Sequence, residues 1–127
     1  MTHPQKVRGG LERIVHATGY SIAGLGAAWR HESAFRQECV IALVLLPAAV
    51  WLGQSWIESA LLGASVMLVL IVELLNSAIE TVVDRVSPDL HPLSKRAKDI
   101  GSAAVMLALV TCGLLWASAL WRLWSAG

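Results

Sequence analysis

Three long apolar runs constrain the fold of this chain more than any other feature of its sequence. They cover about residues 33–52, 56–86 and 100–124, and 56% of the 127 residues are hydrophobic while only 15% are charged. A backbone in hydrocarbon must satisfy its own hydrogen bonds, and a helix of about 20 apolar residues is long enough to cross the hydrocarbon layer. The sequence therefore predicts an all-α membrane protein with three transmembrane helices.

The basic residues are unevenly distributed around these runs. All but Arg122 lie before the first run, at its start, or between the second and third runs. The positive-inside rule therefore predicts that the N-terminus and the second loop are cytoplasmic. Tryptophans gather at the other ends of the runs, where we expect them to anchor the helices at the interface; they are Trp51, Trp56, Trp116, Trp121 and Trp124.

The segment before the first run, about residues 9–29, has apolar residues at helical spacing along one face. This pattern predicts an amphipathic helix that lies in the cytoplasmic interface of the membrane. Three glycines, Gly19, Gly24 and Gly26, weaken the pattern, and we expect this helix to be broken or mobile.

The third helix is predicted to be longer than the membrane is thick. The second helix should end at Val86 or Ser87, because Pro88 restricts the residue before it, and Pro92 suits the first turn of the next helix. A helix from Pro92 to Trp124 is about 50 Å long, against about 30 Å of hydrocarbon. Its first turns should project into the cytosol.

Four polar side chains follow one stripe of the second apolar run: Glu73, Asn76, Glu80 and Asp84 recur at steps of three and four residues. Carboxylates at membrane depth indicate a functional site or a watery cavity. Glu80 and Asp84 can reach water and a metal-bound polyphosphate, while Glu73 lies nearer the acyl boundary. Hydrogen bonding between helices is the structural alternative for Asn76.

Glu32 at the start of the first run adds a carboxylate that is able to complete a site for Mg²⁺. Taken alone, it is also typical of an exposed ion pair. A net charge of +1, without a basic stripe interleaved with aromatic residues, excludes nucleic acid as a partner.

The polar stripe also forms a recognisable motif. Residues 73–84, ELLNSAIETVVD, resemble the E-x-x-N-S-x-x-E-x-x-x-D signature of the bacterial diacylglycerol kinases. Residues 91–99, HPLSKRAKD, and the segment containing Trp29, Glu32 and Phe35 resemble two further segments of that family. The resemblance extends from about Arg13 to Trp116, in the same order and spacing.

This resemblance implies a homotrimer of three-span subunits in the bacterial inner membrane, with one lipid kinase domain over residues 1–127. Each site would transfer the γ-phosphoryl group of ATP to diacylglycerol, with Mg²⁺ as cofactor, and would be shared between neighbouring subunits. Glu73 would be the general base, and Glu32 and Glu80 would bind the metal. The nucleotide-site residues would be Asn76, Lys98 and Asp99, with Arg13, Tyr20 and Asp84 around them.

Two alternatives stay open. Undecaprenol kinases are close relatives with the same motifs, although residues 101–105 look more like the diacylglycerol branch. A proton- or cation-conducting oligomer with a pore lined by Glu73 and Glu80 belongs to a different class. Such a pore does not need the cytoplasmic polar face formed by Lys95, Lys98 and Asp99.

Overall fold

A computed structural model describes residues 9–86 and 89–126 of the chain. Within them the chain forms four α-helices and no strand: α1 (Gly10–His31), α2 (Ser33–Leu52), α3 (Trp56–Val86) and α4 (Pro92–Ala126). By length and composition, α2, α3 and α4 are able to cross a membrane. The prediction of an all-helical protein with three membrane spans is confirmed.

The helix ends follow the local signals in the sequence. α2 and α3 begin and end at the residues expected for the first two spans, and α4 begins at Pro92 as expected. Pro47 is accommodated within α2. Ser87 and Pro88, which were expected to terminate α3, lie outside the described residues, as do Lys6 and Arg8, which contributed to the predicted orientation.

The predicted break in the first helix is wrong. α1 is continuous through Gly19, Gly24 and Gly26, and none of its glycines has a positive φ. A glycine in a helix costs only about 1 kcal/mol relative to alanine, which the surrounding helical hydrogen bonds offset. The chain leaves the helix instead at Glu32, whose backbone is extended (φ −119°, ψ 105°).

α3 is the central helix of the bundle, because it packs against both α2 and α4, whereas α1 contacts mainly α2. The turn between α2 and α3 spans residues 53–55, and a side chain at Gly53 would overlap the backbone of Ser59. A buried apolar cluster lies at this end of the bundle; it contains Ala49, Leu52, Leu62 and Ala119, with Leu115 and Trp116 against it.

Polar contacts also tie α3 to α4 in this half of the bundle. Arg122 forms an ion pair with Glu58, and the indole N–H of Trp116 donates a hydrogen bond to Ser65 Oγ at 3.2 Å. The polar edge of Trp116 is therefore used inside the bundle, and its role as an interfacial anchor stays a prediction. Trp51, Trp56, Trp121 and Trp124 are at least 70% exposed in the single chain, as an interfacial location requires.

Candidate functional site

The corner between α1 and α2 places Glu32. Its backbone N–H bonds Ala28 O at 2.9 Å, and its own carbonyl accepts from the N–H of Arg36 at 3.2 Å. The guanidinium of Arg36 turns back and donates to the carbonyls of Trp29 (2.7 Å) and Arg30 (3.2 Å). Arg36 thereby caps α1 and holds the Glu32 corner against the start of α2.

Glu73 is the buried carboxylate of the polar stripe, with only 7% of its surface exposed. Glu80 follows it two turns later on the same helix, and Glu32 lies at the α1–α2 corner. A further carboxylate, that of Glu38 on α2, is partly buried. A buried carboxylate in an apolar helix is a candidate for binding a cation or accepting a proton.

Asn76 and Glu80 interact along α3, one turn apart. The carboxamide N–H of Asn76 is directed at Glu80 Oε1 over 3.4 Å. On the other side of Asn76, α4 approaches at Gly101, which is buried. Asn76 thus lies between the carboxylate of Glu80 and the backbone of the neighbouring helix.

A cavity of about 650 Å³ lies between α1 and α3, with Glu32 in its lining. Its wall is mostly apolar, and its polar lining includes Glu32, Ser77 and Thr81. The Thr81 hydroxyl donates to the carbonyl of Ser77 at 2.8 Å, which keeps the helix regular here. An apolar cavity with one polar corner suits a molecule with an apolar body and a polar end.

A second cavity, the charged cavity, has a volume of about 620 Å³ and lies between the end of α3 and the start of α4. It is lined by Asp84, Lys98, Asp99 and Lys95, among other residues. Lys98 Nζ pairs with Asp84 Oδ1 at 2.7 Å, and Lys95 Nζ pairs with Asp99 Oδ2 at 2.6 Å. These four side chains are all partly exposed, so an anion that enters this cavity meets two ammonium groups held by carboxylates.

The donor set suits a hard divalent cation only in combination with a ligand. Among the described residues, no group of three or more His, Cys, Asp or Glu side chains is placed to hold a metal ion by itself. Mg²⁺ usually takes one or two carboxylates and completes its shell with substrate phosphates and water. The two carboxylates that the resemblance assigns to the metal, Glu32 and Glu80, are both partly buried.

Two residues assigned to the nucleotide site are not brought to it. Arg13 and Tyr20 are exposed on α1, and neither lines the two cavities within the described part of the chain. The ring of Tyr20 instead lies 6.5 Å from that of His16. Within a single chain, therefore, neither side chain shares the second cavity with Lys98 and Asp99.

The sequence analysis did not assign two residues that the structure places at the site. Glu38 has a buried carboxylate oxygen without a hydrogen-bond partner among the described residues, and Gly101 contacts Asn76. Glu38 lies six residues after Glu32, which is not the spacing of one helix face, so its position depends on the corner between α1 and α2. The second depends on how α3 and α4 pack together, which the sequence does not show.

The chain is similar to known proteins over most of its length. Residues 19–120 match the sequence profile of the family described as prokaryotic diacylglycerol kinase. The chain is 54% identical over 112 residues to the diacylglycerol kinase of Escherichia coli strain K12, which covers 88% of this chain and 92% of that protein. It is 56% identical over 117 residues to the diacylglycerol kinase of Pseudomonas aeruginosa strain PAO1, covering 92% and 95% respectively.

Proposed function

Because the chain belongs to the prokaryotic diacylglycerol kinase family, we propose that it transfers the γ-phosphoryl group of MgATP to the hydroxyl of diacylglycerol, giving phosphatidic acid and ADP. The observation that carries this proposal is the buried carboxylate of Glu73 on the polar stripe of α3. The apolar cavity and the charged cavity near this stripe suit a lipid alcohol and a polyphosphate.

Glu73 is the general base in this mechanism. A primary alcohol attacks a phosphoryl group only as its proton leaves, and a buried carboxylate within hydrogen-bond reach accepts that proton. The apolar lining of the cavity between α1 and α3 keeps bulk water away from the reacting hydroxyl. The acyl chains remain in the membrane, so only the glycerol end of the lipid has to enter.

Glu32 and Glu80 are the residues that would hold Mg²⁺, which when bound neutralises charge on the transferring phosphoryl group. Asn76 directs its N–H at Glu80 and so limits the orientations of that carboxylate. Lys98 exchanges its pairing with Asp84 for hydrogen bonds that it donates to phosphate oxygens. Asp99 pairs with Lys95 and so orients the ammonium group of Lys95. Phosphoryl transfer depends mainly on such positioning and charge neutralisation.

The site is proposed to face the cytoplasm, where ATP is present. The basic residues near Glu32 and Lys98 support this orientation under the positive-inside rule, and the bacterial relatives support a place in the inner membrane. α1 is proposed to lie in the interface, because its apolar side chains, among them Leu11, Ile14 and Ile22, are more than 60% exposed in the single chain.

The active form is proposed to be a homotrimer with sites shared between subunits. In support, Arg13 and Tyr20 lie apart from the charged cavity of their own chain, so that a neighbouring subunit is the natural source of these side chains for each site. α2, α3 and α4 expose many large apolar side chains in the single chain. This surface is available both for helix packing between subunits and for contact with lipid.

The proposal is tested with the purified protein in mixed micelles, by following transfer of label from [γ-³²P]ATP to a panel of lipid alcohols. We expect Mg²⁺-dependent labelling of diacylglycerol. Faster labelling of undecaprenol would assign the chain to the polyprenol branch instead. Absence of labelled lipid with every alcohol, from a correctly folded protein, would contradict the kinase assignment.

The same preparation tests the conduction alternative. Reconstituted into liposomes with an ion gradient, the protein should produce no proton or cation flux beyond that of empty liposomes. A flux that is abolished by Glu73→Gln would favour a pore lined by the acidic stripe.

A further inference from the structure

Gly101 of α4 faces the side chain of Asn76 on α3 so closely that no other residue type fits without movement. A Cβ added at position 101 would overlap Asn76 Oδ1, and the other atoms it would approach also belong to the Asn76 side chain. Small residues let membrane helices approach this closely. Here the approach is directed at one polar group rather than at an apolar surface.

The carboxamide of Asn76 has a single favourable orientation in this setting. Its N–H is directed at Glu80 Oε1, while its Oδ1 is buried and accepts no hydrogen bond from the described residues. The Cα hydrogen of Gly101 points at that oxygen, which is the arrangement of a weak Cα–H···O contact between helices. A flipped carboxamide would place its oxygen against the carboxylate of Glu80, and two acceptors repel each other.

The other glycines along these helices differ from Gly101. A Cβ at Gly63 would meet only Leu46 Cδ2, at an ordinary 3.7 Å, and a Cβ at Gly113 would meet nothing within 4 Å. Gly113 lies on the same helix as Gly101. Substituting alanine at Gly113 therefore makes the same chemical change in α4 without the contact to Asn76.

We propose that Gly101 is a positioning residue for phosphoryl transfer: its lack of a side chain holds the Asn76 carboxamide with its N–H toward Glu80, and so fixes the Glu80 carboxylate that receives Mg²⁺. This inference rests on the metal site proposed above. A methyl group at position 101 displaces Oδ1, turns the carboxamide, and leaves Glu80 without its orienting donor. Groups that orient a metal ligand typically change metal affinity or activity by about 10- to 100-fold.

The test compares Gly101→Ala with Gly113→Ala in the purified full-length protein. We expect Gly101→Ala to raise the Mg²⁺ concentration for half-maximal rate by about 10-fold, while the KM for diacylglycerol and the oligomeric state stay at wild-type values. Gly113→Ala should behave as wild type. Mn²⁺ binding in the presence of a non-hydrolysable ATP analogue, followed by electron paramagnetic resonance, should weaken by a similar factor in Gly101→Ala alone.

A double variant separates positioning from simple packing. In an Asn76→Ala background the added methyl group meets no carboxamide, so Gly101→Ala should cause no further loss of Mn²⁺ binding. An equal loss in both backgrounds would overturn the inference, because Gly101 would then act by another route. So would unchanged Mn²⁺ binding in the single variant. If Gly101→Ala does not fold, recovery of the fold in the double variant locates the clash at Asn76, and weaker Mn²⁺ binding by Asn76→Ala than by the wild type then supports the positioning role. Continued misfolding, or unchanged Mn²⁺ binding by Asn76→Ala, overturns it.

These outcomes are distinct from failure of the proposed function. If the wild type labels no lipid alcohol, the kinase assignment fails, whereas the Mn²⁺ titrations still measure whether Gly101 acts on the metal through Asn76. If the wild type is active and both alanine variants match it, only the role of Gly101 is lost.

Discussion

At the scale of single residues, Glu73 has the most demanding proposed role, that of the general base. It is buried within α3, and its proposed task is to remove one proton from a lipid hydroxyl. Glu73→Gln keeps the shape of the side chain but removes its basicity. We expect at least about a 100-fold loss of kcat with nucleotide binding retained.

The measurement is the rate of lipid phosphorylation beside the binding of a fluorescent ATP analogue to the same preparation. Glu73→Asp is a useful companion, because it keeps a base and moves it by one methylene. A Gln variant that turned over near the wild-type rate would exclude Glu73 as the base. Loss of nucleotide binding together with turnover would assign it to holding the metal or the fold.

Lys98, which is proposed to meet the polyphosphate, lines the charged cavity, and its ammonium group lies 2.7 Å from Asp84 Oδ1. Lys98→Ala removes the charge, so we expect the KM for ATP to rise about 10-fold with the KM for diacylglycerol unchanged. Arg85→Ala is the matched control, since Arg85 is an exposed cation in the last turn of α3 that does not line this cavity. An effect on the lipid KM alone would contradict the assignment.

At the scale of helices, α2, α3 and α4 meet at the Arg122 side chain. Arg122 pairs with Glu58 on α3 and lies 3.5 Å from the carbonyl of Leu52 at the end of α2. Both members of the pair are under 30% exposed. Arg122→Met leaves the Glu58 carboxylate half-buried without its partner, so we expect the free energy of unfolding to fall by about 1–2 kcal/mol.

Thermal unfolding in detergent measures this loss. The KM for ATP should not change, because Glu58 and the charged cavity lie at opposite ends of α3. The double variant Glu58→Leu/Arg122→Met removes both charges and should recover most of the stability. If the double variant were no more stable than the single one, the ion pair would not be the source of the effect.

The helices themselves were predictable because their signals are local. Pro92 begins α4, the residues from Gly53 to Ser55 separate two apolar runs, and a span of suitable length follows each signal. The contact between Gly101 and Asn76, and the return of Arg36 to the end of α1, depend on the packing and turning of whole helices. Periodicity in one helix carries no information about its register against another, so these contacts required the structure.

At the scale of the whole molecule, the polar stripe of α3 was recognised as a site, but its full set of partners was not. Spacing along one helix placed Glu73, Asn76 and Glu80 on a common face. The resemblance then added Arg13 and Tyr20, which a single chain does not bring to the charged cavity. Residues from a neighbouring subunit are beyond the reach of any pattern in one sequence.

The proposed sharing of sites between subunits leads to a prediction about mixed trimers. Glu73→Gln and Arg13→Ala subunits should each be inactive alone, but mixed trimers should contain some sites with both residues intact. We expect partial recovery of lipid phosphorylation that depends on the mixing ratio, measured after refolding the two variants together. If tagged hetero-oligomers form and no activity returns, each site belongs to one chain.

The three-residue turn between α2 and α3 also has a consequence for biosynthesis. Gly53, Gln54 and Ser55 carry no formal charge, so the two helices are able to enter the bilayer as one hairpin without transferring a charged loop across it. In the proposed orientation, Glu58 is the charge that crosses with this hairpin, and Arg122 lies on α4, which is synthesised after it. The ion pair between them therefore joins the hairpin to a later helix, and it can form only once that helix has packed against the hairpin.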